Sequence, residues 1–132
     1  MAITLKEAEA AVRAAQGKAE ALAIKVSVSV VDDHGDLVAY ARMDGARFYT
    51  ADVSRGKAMV SAWFGQPSGD MAARASNPVF QSISQMNGGR LVFGQGAVPV
   101  VRGGQVAGAI GVSGGSSAQD EECAVAGRAA AQ

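Results

Sequence analysis

The sequence predicts an α+β domain in three layers, α/β/α, with helices on both faces of a five-stranded antiparallel sheet and the order α-β-β-α-α-β-β-β-α. Three observations carry that expectation. Thr4-Leu-Lys-Glu7 has the form of a capping box and opens a helical apolar period. Gly103-Gly104 lies between two apolar runs, and the favoured hairpin turn needs positive φ at both central positions. Gly114-Gly115-Ser-Ser-Ala-Gln-Asp120 ends a strand and runs into a helix start, with acidic residues where the helix dipole favours them. Hairpins impose antiparallel neighbours, and 132 residues suit one domain, residues 1–132, around one core.

The elements follow in order. Leu5, Ala8, Val12, Ala15, Ala19 and Leu22 recur at helical spacing, and the abundance of alanine predicts close packing against whatever the helix covers. Val26-Ser-Val-Ser-Val30 alternates with period two, as a half-buried strand does. Asp33-His34-Gly35 supplies a turn, and Leu37, Ala39, Ala41 and Met43 mark one face of the returning strand. Thr50 is placed to cap a second helix reaching Phe64, with Val53, Gly56, Val60, Trp63 and Phe64 inward. Gly56 costs that helix about 1 kcal/mol against alanine, which predicts a close neighbour. Asp70–Ala75 suits a turn or two of helix. Asn77-Pro78 starts a third helix with Val79, Ile83 and Met86 inward, stopped by Gly88-Gly89.

Three strands follow: Leu91–Phe93, Ala97–Val101 and Gln105–Ser113. Pro99 cannot donate to a ladder, so its strand belongs at an edge or a bulge. Gly108 and Gly111 leave the last strand bare, as close approach by another backbone requires. Ser117 can cap a final helix over Ala118–Ala130.

Composition excludes several functions. Twelve basic residues balance twelve acidic ones and aromatics make up 5%, so there is neither a basic footprint nor a stacking platform for nucleic acid. The single cysteine, Cys123, forbids an internal disulfide and a cysteine-rich zinc site, and it reads as a small buried residue. No apolar run is long enough to span a bilayer and no signal-peptide pattern opens the chain, so a cytoplasmic protein without membrane contact is expected.

The chemistry-bearing residues are few. His34, the single histidine, sits at a hairpin tip, where it is either a metal ligand or general base or else a solvated turn residue. Asp32, Asp33 and Asp36 around it are either a hard-cation cluster or turn formers. Arg42, Asp44, Arg47, Tyr49 and Lys57 gather between a strand end and a helix start, where carboxylates dock, or they tie the loop down as an Arg–Asp pair. Gly114 and Gly115 read as a helix cap, or as a pocket wall a flat guest can approach. Met43, Met59, Met71 and Met86 with Phe48, Trp63, Phe64 and Phe80 read as core, or as lining for such a guest. No Ser-His-Asp order, HExxH or CxxCH motif is present.

Val30-Val-Asp-Asp-His-Gly-Asp-Leu37, Arg42-Met-Asp-Gly-Ala46, Lys57-Ala58 and Gly108-Ala-Ile-Gly-Val-Ser-Gly-Gly115 with Asp120 together resemble the GlcG/HbpS family of small bacterial heme-binding proteins, whose domain also forms the C-terminal part of PduO-type corrinoid adenosyltransferases. The resemblance spans residues 3–130. It implies a profilin-like fold and a homo-oligomer, dimer or higher, binding heme or a related tetrapyrrole as a small-molecule ligand. Arg42, Asp44 and Lys57 match the family pattern, and His34 becomes a candidate axial ligand. Family members also sit in catabolic operons, which implies an alternative: an isomerase or hydratase acting on a small organic acid or aromatic breakdown product. Arg42 and Arg47 would then hold the carboxylate, with His34 or Tyr49 moving protons. Gln95-Gly96-Ala97 departs from the family's paired glycine before the Pro99 strand.

Overall fold

A computed structural model describing all of residues 1–132 shows a four-stranded antiparallel sheet with helices on both faces. Its elements are α1 (Leu5–Ala21), β1 (Ser27–Asp32), β2 (Leu37–Arg42), α2 (Thr50–Phe64), a 3-10 helix (Ser68–Ser76), α3 (Pro78–Met86), β3 (Ala97–Arg102), β4 (Gln105–Ser113) and α4 (Ser117–Ala131). The strands lie in the order β2-β1-β4-β3. Pro99 is therefore on an edge strand, where a missing donor costs least.

The expected fifth strand does not form. Leu91–Phe93 runs extended beside α2, and Val92 N donates to Gly56 O at 3.3 Å. A Cβ on Gly56 would strike Arg90 O and the Val92 side chain. Phe93 joins Phe64 and Phe80, with ring centroids 5.2–6.4 Å apart. The apolar residues that suggested a strand are thus consumed by a helix and an aromatic cluster, not by a ladder.

One face of the sheet carries α1 and α4, the other α2. Thr4 caps α1 as expected: its Oγ1 accepts from Glu7 N and its N–H donates to the Glu7 carboxylate at 2.9 Å. Ala8, Ala11, Ala15 and Ala19 are buried against the sheet and α4. A Cβ on Gly127 of α4 would lie 2.9 Å from Ala11 O, so small residues on both helices let the backbones meet. Leu5 falls outside the stripe and is 56% exposed.

The alternation in Val26–Val30 suggested one wet face, yet both faces of β1 are buried. Val28 and Val30 enter the main core, while Ser27 and Ser29 face α2 and are matched by hydroxyls there. Thr50 Oγ1 donates to Arg47 O at 2.6 Å, so its 2.8 Å contact with Ser27 must be donated by Ser27. Thr50 consequently does not cap α2. Tyr49 occupies the N-cap position and makes no side-chain bond there.

A bulge opposite Val30–Val31 shifts the register of β2 and turns Leu37 outward, leaving Ala39, Ala41 and Met43 on the core. On α3, Phe80 and Ile83 pack on the cluster of Met59, Val60, Met71 and Leu91, whereas Val79 and Met86 are exposed on the opposite side of this short helix. The Gly103-Gly104 turn has φ of +57° and +78°, as the mirror-type hairpin turn demands. Ser116, one residue before the expected Ser117, caps α4 in a second capping box with Gln119.

Candidate functional site

Three of the expected binding residues meet at one place. A cleft of about 300 Å³ is lined by Ala23, Ile24 and Lys25 before β1, by Gly45, Ala46, Arg47, Tyr49 and Thr50 between β2 and α2, and by Gly114 after β4. Local backbone makes the hollow. Ala23 is the single non-glycine residue at positive φ (57°) and turns the chain out of α1. Gly45, at φ 88°, turns it out of the β2 end. Thr50, anchored to Arg47 O and Ser27, forms the buried floor.

The cleft's lining carries two cations, Lys25 and Arg47, and one aromatic ring, Tyr49. The chain's ion pairs are Lys18–Glu122, Lys57–Asp120 and Arg102–Glu7, so Lys25 and Arg47 have no carboxylate partner. The alternative of an Arg–Asp pair holding this loop is therefore not realised. Phe48 and Tyr49 pack edge to face at 5.6 Å and stand 80% and 48% exposed. Arg42, across from Ser27 at the end of β2, and Asp44 in the following turn are exposed nearby and do not line the cleft.

Lys57 lies elsewhere, inside the molecule. Its Nζ donates to Asp120 Oδ2 at 3.3 Å and to Val112 O at 3.2 Å, and Asp120 Oδ1 accepts from Gly115 N at 2.8 Å. Burial raises the Asp120 carboxyl above its ordinary range, against the lowering effect of the Gly115 N–H and of Lys57. Gly96 gives this lysine room, since a Cβ there would lie 2.6 Å from Nζ. The group knits α2, β4 and α4 together, and Gly115 joins it through its N–H while Gly114 lines the cleft. Gly108 and Gly111 are likewise filled: a Cβ on Gly111 would strike Ser54 O of α2, and one on Gly108 would strike Val31 O.

His34 is not brought to the cleft. It sits at the far end of β1, roughly 20 Å away at about 3.3 Å per strand residue. Its carbonyl accepts from Trp63 Nε1 at 2.7 Å, and the residue is exposed at the tip. Asp32 serves the turn by accepting from His34 N and Asp36 N, and no group of three metal-ligating side chains forms anywhere in the chain. Met59 and Met71 are core, and Met86 is surface. Burial pushes the Cys123 thiol up to about 11, as befits a packing residue. Lys25 is the site residue that pattern reading missed. It carries no motif and becomes relevant only because Ala23 swings it over the loop.

The family model described as haem degrading protein HbpS-like matches residues 3–129. Protein GlcG of Escherichia coli K12 is 35% identical over 114 residues, 80% of this chain and 77% of that protein. A double mutant of HbpS from Streptomyces reticuli superposes with a TM-score of 0.85 at 32% identity, covering 98% of this chain and 86% of the other. A PduOC:heme complex gives 0.87 at 26% identity, covering 98% and 95%.

Proposed function

This chain belongs to the HbpS-like family, and from that premise we propose that it binds heme or a related tetrapyrrole at the Lys25–Arg47–Tyr49 cleft, between copies of itself. The observation that carries the proposal is a cleft in which two cations lack intramolecular partners beside an exposed aromatic pair. Propionates are carboxylates, for which a guanidinium and an ammonium are the natural partners. Phe48, held edge to face by Tyr49, offers an apolar face to the macrocycle. The family kinship with HbpS and the likeness to a heme-bound PduOC domain support the same guest.

A volume near 300 Å³ is at the lower limit for small-ligand sites and takes only the acidic edge of a porphyrin. A second copy would cover the remainder, which also accounts for an aromatic ring left 80% exposed. Bound heme would supply a redox-active iron. Tyr49 would hold that iron through its phenol oxygen, the one side chain of the lining suited to ligate it.

Hemin titrated into the apo-protein should give a saturable Soret shift. Arg47→Ala and Lys25→Ala should each weaken binding about tenfold, the loss expected for one charge-assisted contact. Tyr49→Phe should move the band while His34→Ala leaves it in place. A linear, unsaturable response, or a band indifferent to the cleft variants, refutes the proposal.

A further inference from the structure

A second cleft, sharing no residue with the first, lies between α2 and the segment after α3. It measures about 330 Å³ and is lined by Asp52, Val53, Arg55, Arg90 and Val92, with Gly88 and Gly89 at its rim. Its chemistry is unusual for this chain. Arg55 Nε is buried and has no hydrogen-bond partner within the protein, the one such side-chain atom in the molecule. The unpaired buried Nε–H is a costly arrangement that calls for an explanation, and the rest of this half-buried side chain lines the cleft with its charge unmatched.

Arg90 is the complementary half. Its Nε donates to Asn87 O at 2.9 Å, which fixes the fork while leaving the terminal amino groups for a guest. Neither arginine takes part in an ion pair, and Asp52, the single carboxylate lining the cleft, is not within 4.0 Å of either. Two guanidiniums against one carboxylate leave one net positive charge, which suits a monoanion and disfavours a dianion. Val53 and Val92 add apolar wall for a short hydrocarbon body. Gly89 has open space where a Cβ would stand, so the rim does not obstruct entry.

We propose that this cleft is a binding site for a small organic monocarboxylate, gripped by Arg55 and Arg90 and packed on Val53 and Val92. The site is independent of tetrapyrrole binding at the first cleft. Two-pronged capture by guanidiniums recognises the planar carboxylate, and a cleft of about 330 Å³ suits a small body behind it.

The test is an NMR titration of the full-length protein with butyrate, benzoate and inorganic phosphate, following the arginine Nε–H resonances. Butyrate or benzoate should shift the Arg55 Nε–H signal saturably, with Kd at or below about 1 mM. Arg55→Gln and Arg90→Gln should each weaken binding about tenfold or more, as loss of a charge-assisted hydrogen bond does. Arg90 is exposed, so Arg90→Gln keeps the test valid should Arg55→Gln fail to fold. Absence of saturation by either carboxylate, phosphate binding tighter than both, or affinity unchanged in the folded variants overturns the proposal.

Discussion

Lys57 and Asp120 are the charged side chains that the fold buries, at 6% and 3% exposure. Taking two ions from water is tolerable because each also gains a backbone partner, Val112 O for the lysine and Gly115 N for the aspartate. Removing one partner should be far worse than removing both. Lys57→Met should lower unfolding free energy by about 3–5 kcal/mol in urea titration. Adding Asp120→Leu should recover only part of that, because Gly115 N then loses its acceptor. The cost of Lys57→Met should grow as pH rises through the raised Asp120 value, since only the ionised carboxylate is stranded. A double variant whose cost equals the sum of those of Lys57→Met and Asp120→Leu alone would show that the pair is uncoupled. Lys57 was legible as an important position from its family motif, but not as a buried one. Its carboxylate partner lies 63 residues away, a separation that no local pattern reveals.

At the scale of elements, the caps and turns do what local chemistry asks. The Glu7 carboxylate holds the α1 capping box and receives Arg102 at 2.7 Å, and these bonds lower its pKa. A depressed carboxylate contributes stability that is present above its usual 4.5 and is lost as pH falls through the lowered value. Glu7→Gln should therefore flatten the acid limb of a stability–pH profile while changing its slope little above neutrality. An unchanged acid limb would argue against the box. Gly111 is the matching case on the sheet, where β4 meets Ser54 and Ala58 of α2 with no room for a methyl group. Gly111→Ala should cost about 1–3 kcal/mol by overpacking, read as a lower denaturant midpoint. Local signals succeeded at Thr4, Gly103-Gly104 and Asn77. They failed at Thr50, whose hydroxyl is taken by the nearby Arg47 O and by the distant Ser27, and at Leu91–Phe93, taken by the α2 surface and Phe64.

For the whole molecule, the unpaired sites lie outside the core. Phe48 and Tyr49 at the first cleft and Val79 and Met86 on α3 are large apolar groups left in water. If a second copy completes the first cleft, light scattering should report a dimer or larger assembly, and Phe48→Ser should weaken assembly and hemin affinity together. A monomer at micromolar concentration would remove the intersubunit part of the proposal. His34 and the Arg47 loop, expected at one site, fall at opposite ends of β1, so within one chain they cannot act on the same guest. Only another subunit could bring them together.

Read by itself, the chain determined its helices, its hairpins, an edge or a bulge for Pro99 and the need for bare backbone at Gly108 and Gly111. These depend on neighbours a few residues apart, through caps, turns and periodicity. Tertiary structure alone decided how many strands pair, that the β1 serines are buried rather than wet, and that Lys57 is internal. It also put Lys25 with Arg47 and Arg55 with Arg90. Those outcomes rest on contacts between residues tens of positions apart, where the energy of packing one surface on another outweighs local preference.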